Sequence, residues 1–162
     1  TSFFDGKRYV VKPKALYLFG TSFGGPAAIL ASRDPRVTKV VALSPVVDWL
    51  VHSRHGERID WMYGFMRRAF GEAYRLASKK DWFKLEKGKF YNPMAHTKEI
   101  DGKKIFIIHA KDDKVVLSQP VRKFAKLVGA KLLLLRRGGH LGSDVLMKRE
   151  ICARVVKFLR SR

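Results

Sequence analysis

The 162-residue chain has one cysteine, Cys152. No disulfide can form within it, so a disulfide-stapled secreted fold is excluded, and a reducing, cytoplasmic setting is expected. Long apolar runs are also missing. The run Leu132-Leu133-Leu134-Leu135 is closed by Lys131 and Arg136. It falls far short of the ~20 residues a membrane-spanning helix needs and reads instead as a buried strand. Thr1-Ser2-Phe3-Phe4-Asp5 lacks the basic-then-apolar pattern of a secretory leader. The chain opens without Met and without an evident domain start, so an upstream portion is expected to have been removed or lost. There is no internal repeat and no low-complexity tract. No His or Cys residues stand at metal-ligand spacing, His52 and His55 included, so neither metal nor cofactor is expected.

Negative charge is scarce: 14 acidic residues face 34 basic ones, for a net charge of +20. A surface this basic suits nucleic acid, anionic lipid or an acidic partner. It equally suits a thermophile's charged surface. The basic pairs Arg67-Arg68, Lys79-Lys80, Lys103-Lys104, Arg122-Lys123, Arg136-Arg137 and Lys148-Arg149 are spread along the chain. That spread favours a generally solvated surface over a dedicated nucleic-acid site.

What is present reads as one α/β domain over 1–162. With 46% hydrophobic residues the chain can bury a core. Ala15 to Phe19 is a short apolar strand, Phe23 to Ser32 a tightly packed helix stopped at Asp34-Pro35, and Val37 to Leu43 a β-branched strand closed by Ser44-Pro45. From about Asp48 to Asn92 the rhythm breaks. This segment is aromatic and basic, with helical periodicity between Ile59 and Ser78. It is expected to be a lid-like insertion of two or three helices over one end of the sheet. Alternation then resumes: a strand from Lys104 to His109, a helix from Ser118 to Val128, a strand from Lys131 to Leu135, and a long amphipathic helix from Asp144 to Leu159. Alternating strands and helices imply a parallel sheet, here of about four strands, with helices on both faces.

Between the first strand and first helix lies Gly20-Thr21-Ser22-Phe23-Gly24. Glycines two before and two after a serine permit a sharp strand-to-helix turn that projects the side chain from the strand end. The backbone N–H of Phe23 is placed to donate to an oxyanion, and Gly25 lets the helix approach closely. Alone the motif is weak; the flanking strand and helix strengthen it. A serine hydroxyl needs a histidine base, and the histidine needs a carboxylate to fix its tautomer. Asp112, Asp113 and His140 follow strand ends in the order Ser–Asp–His, on the edge of a parallel sheet where such folds keep their sites.

These motifs resemble the C-terminal half of an α/β-hydrolase, closest to the prolyl oligopeptidase and acylaminoacyl-peptidase-like serine hydrolases. Gly20 to Gly25 matches Gly-x-Ser-x-Gly-Gly. His109 to Val116 matches His-Gly-x-x-Asp-x-x-Val, with Ala110 in place of glycine, and Gly138-Gly139-His140 matches Gly-x-His. Ser44 to Trp49 and Tyr91-Asn92-Pro93 resemble further stretches of those peptidases. The resemblance implies a partial α/β-hydrolase fold with Ser22 as nucleophile, Asp113 rather than Asp112 as acid, His140 as base and Phe23 at the oxyanion hole. It implies hydrolysis of an ester or peptide bond. It also implies that four family strands and the second oxyanion donor lie outside this sequence. The strand Ala15 to Phe19 would then have an open apolar edge, which calls for a complementary N-terminal chain or a second copy. A non-catalytic subunit or basic binding module is the alternative.

The remaining candidates have plainer readings. His109 is structural, His96 a loop residue, Asp144 a cap for the last helix, and Cys152 a small core residue. Trp49, Trp61, Tyr63, Phe65, Phe70, Trp82 and Phe83 form the packing face of the insertion or line an acyl or side-chain pocket.

Overall fold

The computed structural model describes residues 2–10, 12–51, 59–70, 78–84 and 91–161. His52 and His55 lie outside these residues, as do the side chains of Trp61 and Phe70. Four strands form one parallel sheet in chain order: β1 (Leu16–Thr21), β2 (Val37–Leu43), β3 (Ile105–Ala110) and β4 (Lys131–Leu135). Helix α1 (Gly24–Ala31) crosses from β1 to β2. The insertion contributes α2 (Ile59–Phe70) and α3 (Lys79–Trp82). Helix α4 (Ser118–Val128) crosses from β3 to β4, and α5 (Arg149–Arg160) closes the chain.

Burial follows position in the sheet. Every residue of central β3 is buried, including His109, as the continuous apolar run of a strand covered on both faces requires. On one face Val40, Ala42, Ile105 and Ile107 pack against Ile29 of α1 and against Val121 and Phe124 of α4. On the other, Val41, Leu43, Phe106 and Ile108 pack against Ile151, Val155 and Phe158 of α5. The helices therefore cover both faces, as expected. β1 is an edge strand with Leu16, Tyr17 and Phe19 exposed.

Three expectations are corrected. The segment from Asp144 to Leu159 is not one helix. Ser143–Met147 forms a 3-10 turn, and Lys148 leaves helical geometry at ψ 114° before α5 begins. Asp144 therefore lies in the short turn rather than capping α5, whose N-cap is Lys148. Cys152 is exposed, not core. The buried stripe of α5 runs through Ile151, Val155 and Phe158, at offsets of four and three, and adjacent Cys152 is rotated out of it. Among the described residues no helix is long and apolar enough to cross a membrane.

Candidate active site

Ser22 sits at the turn from β1 into α1, with its backbone in the left-handed region at φ 47°. A side-chain-bearing residue there costs about 1–3 kcal/mol and persists only where neighbours enforce it. The end of β2, the turn after it and the first turn of α1 do so. The Ser22 N–H donates to Leu43 O at 2.8 Å, while the Ser22 carbonyl accepts from Gly25 N at 3.0 Å and Val46 N at 3.3 Å.

The glycines around Ser22 are not equivalent. A Cβ on Gly20 would lie 2.5 Å from Gly24 O and 2.9 Å from Ala28 Cβ. One on Gly25 would lie 2.5 Å from Pro45 Cβ, so this glycine admits the turn that follows β2. A Cβ on Gly24 would meet nothing within 4 Å. Close approaches are thus made at Gly20 and Gly25 and not at Gly24.

Asp113 and His140 meet three residues beyond β3 and five beyond β4. His140 Nδ1 donates to Asp113 Oδ2 at 3.0 Å, with the Asp113 side chain fully buried and that of His140 27% exposed. Because a carboxylate only accepts, Nδ1 carries a proton in this bond, and the tautomer it selects for a neutral ring has its lone pair on Nε2. The other carboxylate oxygen accepts from Val115 N and Val116 N, each at 2.9 Å. Burial pushes the Asp113 carboxyl up. The bond from His140, the Val116 N–H, the His140 charge and the Val115 N–H together outweigh it and hold the group below the usual carboxylate range. Asp112 has a different partner: its exposed carboxylate accepts from Gly139 N at 3.0 Å.

His109 is fully buried, and its Nε2 donates to Val116 O at 3.0 Å. It stands 3.8 Å from Asp113 Oδ2. Burial pushes the imidazole's pKa down, outweighing the Asp113 charge and the Val116 carbonyl, so the ring is neutral near pH 7. Its Nδ1 has no hydrogen-bond partner among the described residues. His109 thus braces the turn that carries Asp113.

Phe23 follows the serine, and its N–H meets no acceptor among the described residues. Its ring stacks on Trp82 at 5.6 Å, meets Trp49 edge-on at 5.2 Å and lies 5.9 Å from Tyr91. The Trp49 indole donates to Tyr91 O at 2.8 Å, and Tyr63 and Phe83 join the same cluster. These aromatics pack on one another, whereas Phe65 is exposed. His96 belongs to the short 3-10 helix Pro93–His96 and contacts Glu99 at 2.9 Å.

Ser22, Asp113 and His140 thus lie at the carboxyl ends of β1, β3 and β4, with the Asp–His bond made. Among the described residues no hydrogen bond joins Ser22 to His140. Such contacts often tighten only once substrate is bound. No group of three or more His, Cys, Asp or Glu side chains that would hold a metal ion is found among the described residues.

Comparison with known proteins places this geometry. The family described as the prolyl oligopeptidase family matches residues 4–161. No match is found among curated proteins. Among solved structures, an esterase of Pyrococcus furiosus is 20% identical at a TM-score of 0.61, covering 91% of this chain and 53% of its own. An acylaminoacyl peptidase of Pyrococcus horikoshii is 16% identical at a TM-score of 0.57, with 90% and 23% covered. An alpha/beta hydrolase enzyme from a lagoon-sediment metagenome is 22% identical at 0.56, with 91% and 62% covered. The fold is that of a partial α/β-hydrolase, and the chain spans about half of the esterase and a quarter of the peptidase.

Proposed function

The chain belongs to the prolyl oligopeptidase family, and from that premise we propose that it carries the nucleophile, acid and base of a serine hydrolase that cleaves an ester or amide bond. The observation that carries this reading is the His140–Asp113 bond on the same sheet edge as the left-handed Ser22.

In this reading His140 Nε2 takes the Ser22 proton while Ser22 Oγ attacks the carbonyl carbon. The resulting oxyanion accepts from the Phe23 N–H. His140 returns the proton to the leaving alcohol or amine, and the carbonyl re-forms as an acyl-serine. Water, deprotonated by His140, then releases the acid and restores Ser22. Asp113 keeps the proton on Nδ1 and balances the imidazolium. The machinery serves esters and peptides alike. The contacts of Trp49 and Trp82 with Phe23 support a lid-like role for the described parts of the insertion. The exposed edge of β1 supports a neighbouring strand, from a complementary chain or a second copy, which would bring the second oxyanion donor.

Fluorophosphonate labelling and p-nitrophenyl ester turnover test the reading, with Ser22→Ala as control. Labelling and turnover that vanish in the variant support it. Turnover that survives intact overturns it. No labelling of the unmodified chain, with salt-sensitive binding to RNA, supports a basic binding module instead.

A further inference from the structure

The main chain carrying His140 is tied on both sides of the imidazole. Gly139 N–H donates to Asp112 Oδ1 at 3.0 Å. Leu141 N–H donates to Ser44 Oγ at 3.0 Å, across 97 residues of sequence. With the ring's own bond to Asp113, three consecutive residues are held by three side chains. Ser44 directly follows β2, and the two aspartates follow β3. None of these bonds belongs to a helix or a strand ladder, so secondary structure alone does not place His140.

Ser44 is shaped for this task. It is fully buried and holds a left-handed φ of 41°, a strained conformation for a residue with a side chain. Its N–H donates to Ile108 O at 2.9 Å, which fastens it to β3. Leu141 is buried too, so its N–H, deprived of the hydroxyl, would have no water to replace it. At the other side Gly139 takes a left-handed φ of 59°, which lets its N–H turn toward Asp112. Behind it, a Cβ on Gly138 would lie 2.7 Å from Leu141 Cδ2, so the loop closes tightly on itself.

We propose that Ser44 and Asp112 are positioning residues that fix the backbone on either side of His140, holding its Nε2 toward the serine. The proposal rests on the reading of His140 as the base. It divides the work of two adjacent aspartates: Asp113 orients the ring, and Asp112 anchors the loop.

The test combines ester kinetics, thermal unfolding and the NMR signal of the His140 Nδ1 proton, all on the full chain. Ser44→Ala is expected to lower kcat about tenfold to a hundredfold with KM little changed, as for a misplaced catalytic group. Ser44→Gly accepts the left-handed backbone without strain but also lacks the hydroxyl, so it should fall as far. Asp112→Ala should lose about threefold, its bond being exposed. Asp112→Asn keeps an acceptor oxygen and should restore the rate. In each impaired variant the Nδ1 proton should exchange faster with water. Normal kcat and an unchanged signal in Ser44→Gly and Asp112→Ala would overturn the proposal. So would a normal Ser44→Gly beside an impaired Ser44→Ala, or an Asp112→Asn as poor as Asp112→Ala. If Ser44→Ala does not fold, Ser44→Gly and the two Asp112 variants decide. If the unmodified chain shows no Ser22-dependent turnover, the functional reading falls, and the His140 signal alone decides the positioning role.

Discussion

Asp113→Asn preserves shape and exchanges one acceptor for a donor, and its effect follows from counting bonds. The new amide has two orientations. With its oxygen toward Val115 and Val116 it keeps both 2.9 Å bonds and points its NH2 at His140 Nδ1. Turned over, it keeps only the 3.0 Å bond from His140 and sets its NH2 against the N–H groups of Val115 and Val116. A hydrogen bond contributes about 0.5–1.5 kcal/mol net, and the first orientation makes two more of them than the second. The first orientation therefore wins by at least about 1 kcal/mol. His140 must then accept at Nδ1, which moves its proton to Nε2, the atom that takes the proton of Ser22 in the proposed mechanism. The imidazole stays in place but has the wrong tautomer, and kcat is expected to fall about 10,000-fold. The melting temperature should move little, because two of three bonds survive. Nitrogen-15 NMR of the ring checks the tautomer and ester turnover checks the rate. A variant within tenfold of the parent, or one whose Nδ1 stays protonated, would refute the reasoning.

Adjacent glycines should respond in opposite directions. Gly25→Ala, driven into Pro45, is expected to destabilise by about 1–3 kcal/mol. Gly24→Ala, exposed in the first turn of α1 with open space around it, is expected to stabilise by up to about 1 kcal/mol; chemical denaturation of both measures the difference. Acid should weaken the fold in two windows. His109, held neutral by burial, lowers stability as pH drops below about 6.5, where the unfolded chain takes up a proton that the folded one does not. Asp113, held below the usual range, contributes stability above about pH 4 that is lost as pH falls through its folded value. Denaturation of His109→Asn and Asp113→Asn across pH should flatten the upper and lower windows respectively.

The sheet was legible because its strands are short apolar runs ended by glycine, proline or charge. The helix over Ser118–Val128 and the strand over Lys131–Leu135 match the structure residue for residue. The strand-end positions of Ser22, Asp113 and His140 could be read because a sharp turn and short apolar strands leave local marks, while the preference for Asp113 over Asp112 rested on the resemblance to the peptidases. The loop anchors left none. Ser44 and Leu141 are linked by one hydrogen bond across 97 residues, and no periodicity records such a contact. Asp112 and Asp113 are chemically identical in the sequence, and only the direction of the chain separates their partners. Cys152 was misread because it neighbours the apolar stripe, and a step of one residue turns a helix about 100°. The break at Lys148 was hidden by periodicity that continues across it.

Phe23 touches two of the chain's three tryptophans while being covalently joined to Ser22. Any change at that serine is thus transmitted, through one peptide unit and one ring, to the indoles of Trp49 and Trp82. Under the proposed mechanism this makes an optical gauge: ultraviolet emission is expected to shift when Ser22 is acylated and to return when the acyl group leaves. Loading and unloading of the serine can then be followed in real time, with unlabelled substrates of any class.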